Sequence, residues 1–352
     1  MGAALSLSEI KSSTGKVCLM PRRTINRAAA CAAIALVLVQ GSVAALAAGA
    51  SRQSLDDALF TGPLVAPNAT SLPEGHWDVE PYVLDSIQHG SYDNNWNSRN
   101  TPDIHALRSV SLLEYGLTDR LLVALLPQFG YNVVEHGPDS QGVQLGDTKL
   151  RFQYMLHAFH EGSWLPTTAL AFSEVFPTGK YDGLGNHPAD GLGSGLLSST
   201  FGLFSQDYFW MPNGRILRSR LDLTYTIPDE KASVNGVSVY GTGPGFNGTV
   251  DTGNTFSADL AFEYSMTRHW APAVDIVYSH SGGASVRGVQ ASNGLVTSIS
   301  STSNASEAVD VAPAIEYNWN SHYGVIVGAD VVVAGRNTAD AVTPQAALNI
   351  YY

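Results

Sequence analysis

Between Phe256 and Thr267 the chain alternates: Phe256, Ala258, Leu260, Phe262, Tyr264 and Met266 fall on one side, with Ser257, Asp259, Ala261, Glu263, Ser265 and Thr267 on the other. The pattern recurs from Trp270 to Tyr278, from Val309 to Trp319 and from Tyr323 to Val333. A period of two is strand geometry, because successive side chains of an extended chain point to opposite faces. Runs this long exceed the usual strand of a soluble sheet. They match the roughly 9 to 11 tilted residues that cross the hydrocarbon of a bilayer. Beyond residue 50 no segment reaches the roughly 18 uninterrupted apolar residues of a helical span, so the expectation is an all-β chain.

Extending this reading predicts twelve strands, near 76–86, 105–116, 119–131, 145–160, 163–177, 193–205, 214–228, 255–267, 269–281, 307–319, 322–335 and 342–352. The connections alternate in length. Those near 117–118, 161–162, 206–213, 268 and 320–321 are short, whereas 87–104, 132–144, 178–192, 229–254 and 282–306 are long and rich in Gly, Asn, Ser, Asp and Pro; 336–341 is a modest exception. Short turns at one end and long loops at the other belong to a closed antiparallel transmembrane β-barrel with both termini on the periplasmic side. Trp77, Trp164, Trp210, Trp270 and Trp319 all fall near short-turn ends, where an amphipathic ring suits the headgroup boundary. The last strand carries Pro344, Ala346, Leu348, Ile350 and Tyr352 on one face.

Residues 1–50 differ from the rest. They hold five Lys/Arg against one acid, and from Met20 they read as a basic stretch, an apolar run at Ile34–Val39 and small residues at Ala45, Ala47, Ala48 and Ala50. That order is a secretory signal peptide, with cleavage expected after Ala47 or Ala50, and Met20 is a second candidate start. The remaining 302 residues carry 14 basic and 30 acidic side chains, a net charge of -16, which argues against nucleic acid as a partner. Both cysteines, Cys18 and Cys31, lie in the first fifty residues, so the mature chain can form neither a disulfide nor a thiolate metal site. Residues 51–75 are either a periplasmic leader or a small plug, and 76–352 form the barrel.

Several fragments resemble the outer-membrane barrel family named for the meta pathway of phenol degradation. They are FTGPLVAPNATSLPEGHWDVEPY (Phe60 to Tyr82), LLEYGLTDRLLVALLP (Leu112 to Pro127), LGDTKLRFQYML (Leu145 to Leu156), FPTGKY (Phe176 to Tyr181), FSADLAFEYSMTRHW (Phe256 to Trp270) and the closing PQAALNIYY. The resemblance implies a channel or transport protein of the bacterial outer membrane that passes small hydrophobic or aromatic cargo. It also implies that the strand ending in Leu348, Ile350 and Tyr352 is read by the barrel assembly machinery. A non-specific small pore and a non-catalytic structural or adhesion barrel stay open as alternatives, and oligomeric state is left open.

With the apolar face toward lipid, the opposite face is expected to place Asp78, Glu80, Arg108, Glu114, Asp147, Lys149, Arg151, Glu174, Arg218, Arg220, Asp222, Asp259, Glu263, Asp275, Asp310, Glu316, Asp330 and Arg336 in the lumen. Acids outnumber bases there, which favours cations over small anions. GTGPGFNG at Gly241–Gly248 lacks the Lys-Ser/Thr and the strand-to-helix setting of a phosphate loop. No G-x-S-x-G or HExxH motif occurs, and strand parity is expected to separate His157 from His160. The expectation is therefore no enzyme, cofactor or metal.

The loop asymmetry yields a labelling test on cysteine-free mature chain. Single cysteines at Asn94, Asp182 and Gly243 should react with an impermeant reagent in whole cells, and one at Asn320 should not. The reverse pattern would invert the barrel.

Overall fold

The structure, a computed structural model, describes residues 52–229 and 231–352. The secretory segment, its cleavage positions and Met20 lie outside the described residues. The described residues hold eighteen strands and two 3-10 turns, Leu55–Asp57 before the first strand and Pro188–Asp190 between the seventh and eighth: β1 (Trp77–Tyr92), β2 (Ser98–Thr118), β3 (Leu121–Leu126), β4 (Gln128–Val134), β5 (Gln144–Leu145), β6 (Thr148–His157), β7 (Thr167–Phe176), β8 (Ser198–Trp210), β9 (Ile216–Pro228), β10 (Ala232–Asn235), β11 (Phe246–Asp251), β12 (Thr255–Tyr264), β13 (Trp270–Ser281), β14 (Ser285–Ser292), β15 (Leu295–Thr302), β16 (Ser306–Asn318), β17 (Tyr323–Arg336) and β18 (Ala339–Tyr351). No described helix is long and apolar enough to cross a membrane.

Fourteen strands form one antiparallel sheet, and β1 pairs with both β18 and β2, which closes it into a barrel. Two wall strands are interrupted. Pro127, which has no N–H for the ladder, lies between β3 and β4, and both halves run along β2. Their outer neighbours are β6 and β5, separated at Gly146 and Asp147. Counting each interrupted pair once, the wall has twelve strands. At the seam, Trp77 and Tyr352 exchange backbone hydrogen bonds of 3.0 and 2.9 Å.

The other four strands form a separate sheet, β10-β11-β14-β15, built from the two longest connections. Its small core joins Val234, Phe246 and Val250 with Leu196, and Tyr181 and Tyr240 pack against it. Gly241–Gly248 thus leads into β11 as part of this packed loop structure.

Strand boundaries differ from expectation where polarity misled. The predicted loop 87–104 shrinks to residues 93–97, because the polar stretch around Gln88 and Asn100 still pairs its backbone across β1 and β2, with an irregularity between Gln88 and Gly90. Asp93 caps the five-residue turn by accepting Asn95 N at 2.8 Å and Asn97 N at 3.1 Å, which holds its carboxyl below the usual range. The predicted turn 161–162 is instead residues 158–166, and the predicted turn 206–213 is residues 211–215 because β8 runs to Trp210. The modest loop at 336–341 is only Asn337 and Thr338, with Asn337 at φ 53°.

Burial alternates along the wall. On β7, Ala169, Ala171 and Ser173 are buried while Leu170, Phe172 and Phe176 are exposed. The same outward set continues through Phe201, Leu203, Leu221, Leu260, Ile276, Ile315, Val327 and Leu348. Large apolar side chains on the outside and small or polar ones within invert the arrangement of a soluble barrel and fit a hydrocarbon surrounding. Trp77, Trp164, Trp270 and Trp319 are exposed at one end of the wall, and Trp210 lies at the same end.

Phe172→Arg should therefore destabilise the barrel in lipid vesicles by about 2 to 4 kcal/mol if the site lies at the bilayer midplane. Denaturant titration should show Phe172→Leu nearly unchanged. Equal stability of both variants would remove lipid from that face.

Candidate functional site in the barrel interior

Cross-strand register decides which inward charges meet. Arg218 on β9 stands opposite Glu263 on β12. Its Nε donates to Glu263 Oε2 at 2.6 Å, and Nη2 donates to Oε1, a two-pronged pair with Glu263 wholly buried. Arg220 Nε approaches Glu263 Oε2 at 3.5 Å. On the far wall Arg151 of β6 pairs with Glu114 of β2. Asn349 of β18 donates to Asp78 Oδ1 at 2.9 Å and to Glu80 Oε1 at 2.7 Å, bridging the two acids of β1.

Residues 52–76 run among these groups. The segment is fixed first at the short-turn end, where Arg52 lies over the Trp210 ring and Trp210 Nε1 donates to Gln53 O at 2.8 Å. It then passes inward. Thr61 N donates to Glu316 Oε2 at 2.6 Å, and Leu64 N and Ala66 N donate to the two oxygens of Asp275, each at 3.0 Å. Arg220 Nη1 donates to Ala66 O at 2.7 Å, and Gln153 Nε2 donates to Asn68 O and Thr70 O. Leu64 packs on Ala312, Ile326 and Ala347, and Ala69 packs on Ala169, Ala171 and Phe204. The chain returns to the same end, where Gly75 N donates to Gly116 O at 2.9 Å. A Cβ at Gly116 would overlap the backbone oxygen of Pro73, so glycine is needed where the segment crosses β2. Hydrogen bonds from backbone amides to carboxylates contribute about 1.5 to 3 kcal/mol each, so Glu316 and Asp275 anchor the segment firmly.

A cavity of about 540 Å³ lies inside the opposite part of the wall, toward the long-loop end. Val110, Leu126, Val175, Leu192 and Val239 give it an apolar lining, with Gln128, Asp147, Lys149 and Ser194 as polar members. A smaller cavity of about 220 Å³ lies at the other end, between Leu55–Phe60 and wall residues that include Arg218 and Asn349.

Among the predicted charges, Glu80, Glu114, Lys149, Arg151, Arg218, Arg220, Asp222, Asp259, Glu263, Asp275, Asp310, Glu316 and Asp330 carry the inward parity of their strands. Asp147, just before β6, accepts Gly179 N at 3.0 Å and Ser194 N at 2.7 Å, so it fastens a loop. Two predictions are corrected. Glu174 shares its face with the exposed Leu170 and Phe172 and accepts Ser199 Oγ at 2.7 Å, so it lies on the outer side near the loop end. Arg336 follows an irregularity between β16 and β17 that shifts the parity, and it pairs with Glu307 at 2.8 Å beside His280 on the outer side.

His157 and His160 also differ from expectation. His160 lies beyond the end of β6, where alternation no longer applies, and the rings approach to 5.8 Å. His157 Nδ1 lies 2.9 Å from Pro166 O. No described group of three His, Cys, Asp or Glu residues could hold a metal ion. Sequence reasoning passed over Gln153, Asn318 and Asn349 because it counted charges only; their parity, shared with Arg151, Glu316 and the buried Ala347 on the same strands, was the available signal.

No family model and no curated protein matches this chain. Among solved structures it is similar to an outer-membrane channel from Pseudomonas putida F1, with 14% identity, a TM-score of 0.63 and coverage of 82% of this chain and 100% of that one. The β domain of the Bordetella autotransporter BrkA aligns at 10% identity and a TM-score of 0.44, over 79% of this chain and all of that one. The toluene transporter of Ralstonia pickettii aligns at 10% identity and a TM-score of 0.37, over 83% and 94% of the two chains. The first likeness establishes a shared barrel fold. The other two are too distant to bear on function.

Glu263→Gln leaves Arg218 and Arg220 without their shared carboxylate. Losing one member of a buried ion pair costs about 3 to 5 kcal/mol, so the variant should unfold at markedly lower temperature in heat-modifiable gel mobility. A matching loss for Arg99→Gln, which breaks the exposed pair of Arg99 with Asp93 at 2.9 Å, would show that the interior pair has no special weight.

Proposed function

We propose that this protein is an outer-membrane channel through which small hydrophobic or aromatic compounds enter the cell, with residues 52–76 obstructing its periplasmic half. The observation that carries this reading is the largely apolar cavity of about 540 Å³ on the inner side of the barrel wall. Its volume falls in the range of roughly 300 to 1,000 Å³ that holds small organic molecules. The printed description of the Pseudomonas protein, an outer-membrane channel, supports the reading, as do the outward apolar face and the secretory segment of the sequence. Outer-membrane lipid and the barrel assembly machinery are the partners this placement requires. The proposed role is passage without chemical turnover.

A small cation-selective pore is the second reading. It is favoured by Asp259, whose two carboxylate oxygens are buried and without a protein partner on a wall that also carries Asp222 and Asp275. Such a pore would conduct in planar bilayers, with a cation preference that weakens as salt screens the acids.

Protein shown to be folded, placed in liposomes, should raise the uptake of toluene over that of a sugar of similar size. Deletion of residues 52–72 should increase ion conductance, because it removes the amides held by Glu316 and Asp275. Sustained conductance in the full chain without selective uptake would favour the pore. Absence of both would overturn the channel reading.

A further inference from the structure

We propose that Lys149 is the recognition group of a binding site for small organic carboxylates, whose apolar bodies occupy the cavity beside it. The inference rests on the channel reading and narrows its cargo.

The interior cations other than Lys149 are accounted for by protein atoms. Arg151 pairs with Glu114, Arg218 and Arg220 share Glu263, and Arg108 donates to Leu107 O at 2.9 Å. The Lys149 ammonium, among the described residues, has neither an ion pair nor a hydrogen bond to any protein group. The nearest acid in sequence is Asp147, which lies on the same side of the strand. Its oxygens are taken by Gly179 N at 3.0 Å and by Ser194 N and Oγ at 2.7 and 2.6 Å, and it makes no ion pair with Lys149. The result is a single ammonium group lining a cavity that is otherwise mostly apolar.

An ammonium carries three donors and no acceptor. Set beside Leu126, Val175 and Leu192, it gains most from an anion that brings its own apolar surface. The site has neither an arginine fork nor a cluster of backbone amides, the features suited to phosphate. One point charge suits one carboxylate, and Gln128 on the same lining adds a neutral amide donor. The acids Asp259, Asp275 and Asp310 stand on β12, β13 and β16, while the cavity is formed by β2, β3, β4, β6 and β7. Those acids stand away from this cavity, and its one lining acid, Asp147, is already held by three protein donors. The competing account has the Lys149 stem covering apolar wall and its head simply hydrated.

Benzoate and benzyl alcohol share a ring and differ in charge, so they separate the two accounts. Binding is measured by calorimetry on the full folded protein in detergent, against protein-free micelles at low salt. Benzoate should bind roughly tenfold or more tighter than benzyl alcohol, and Lys149→Met should abolish that difference. Lys149→Arg should keep benzoate affinity within roughly threefold. Heat-modifiable mobility establishes that each variant is folded. Should Lys149→Met fail to fold, Lys149→Gln and the cavity-filling Leu192→Trp replace it; the first should remove only the benzoate preference and the second should weaken both ligands. Benzoate binding no tighter than benzyl alcohol, or unchanged in the neutral Lys149 variants, would overturn the proposal. Lys149-dependent binding without liposome uptake would sink the channel reading alone, and uptake without Lys149-dependent binding would sink the site alone.

Discussion

Hydrocarbon offers no hydrogen-bond partner to the edge of a sheet, so a strand wall in a membrane must close on itself. Here closure is the pairing of β1 with both β18 and β2. It also explains why polar segments such as Gln88 to Tyr92 remain in strands, since backbone pairing continues after the apolar pattern fades. Pro127 interrupts the wall without opening it, because β3 and β4 keep β2 as a common neighbour.

Closing twelve strands creates an interior wider than the eight-stranded case that side chains alone can fill. The chain answers with charged residues and with backbone. Glu263 receives Arg218 and Arg220, while Glu316 and Asp275 receive the amides of residues 61–66. The two solutions are linked, since Arg220 reaches both Glu263 and the carbonyl of Ala66. A buried carboxylate is costly unless it is paired or well hydrogen-bonded, and an extended segment rich in free amides supplies what the wall strands, with their amides spent on the ladder, cannot.

The twelve-strand barrel was legible because lipid outside and polar groups inside impose a strict alternation, as in Phe256 to Met266 against Ser257 to Thr267. The same alternation, applied consistently, excludes Glu174, which shares parity with Leu170 and Phe172. Arg336 was a different kind of miss, because a one-residue irregularity in β17 leaves no mark in composition. The contacts of residues 52–76 were not legible either. They depend on backbone amides, which every sequence has, meeting carboxylates more than two hundred residues away. The inner strands of the two longest loops were hidden by their Gly, Ser and Asn content, although Val234, Phe246 and Val250 form a core there.

Asp147 and Lys149 show how two neighbours on one face come to different roles. Asp147 accepts an amide from Gly179 and another from Ser194, drawing both parts of the connection after β7 over the barrel wall. That arrangement requires close backbone approach: a Cβ at Gly179 would stand 2.7 Å from the Cα of Gly193. The glycines of this loop therefore serve close packing as well as turning. Leu192 and Ser194 are brought onto the cavity as a consequence. The acid nearest Lys149 in sequence is thereby committed to the loop, and the same contacts that cover the cavity leave its one ammonium group unpaired.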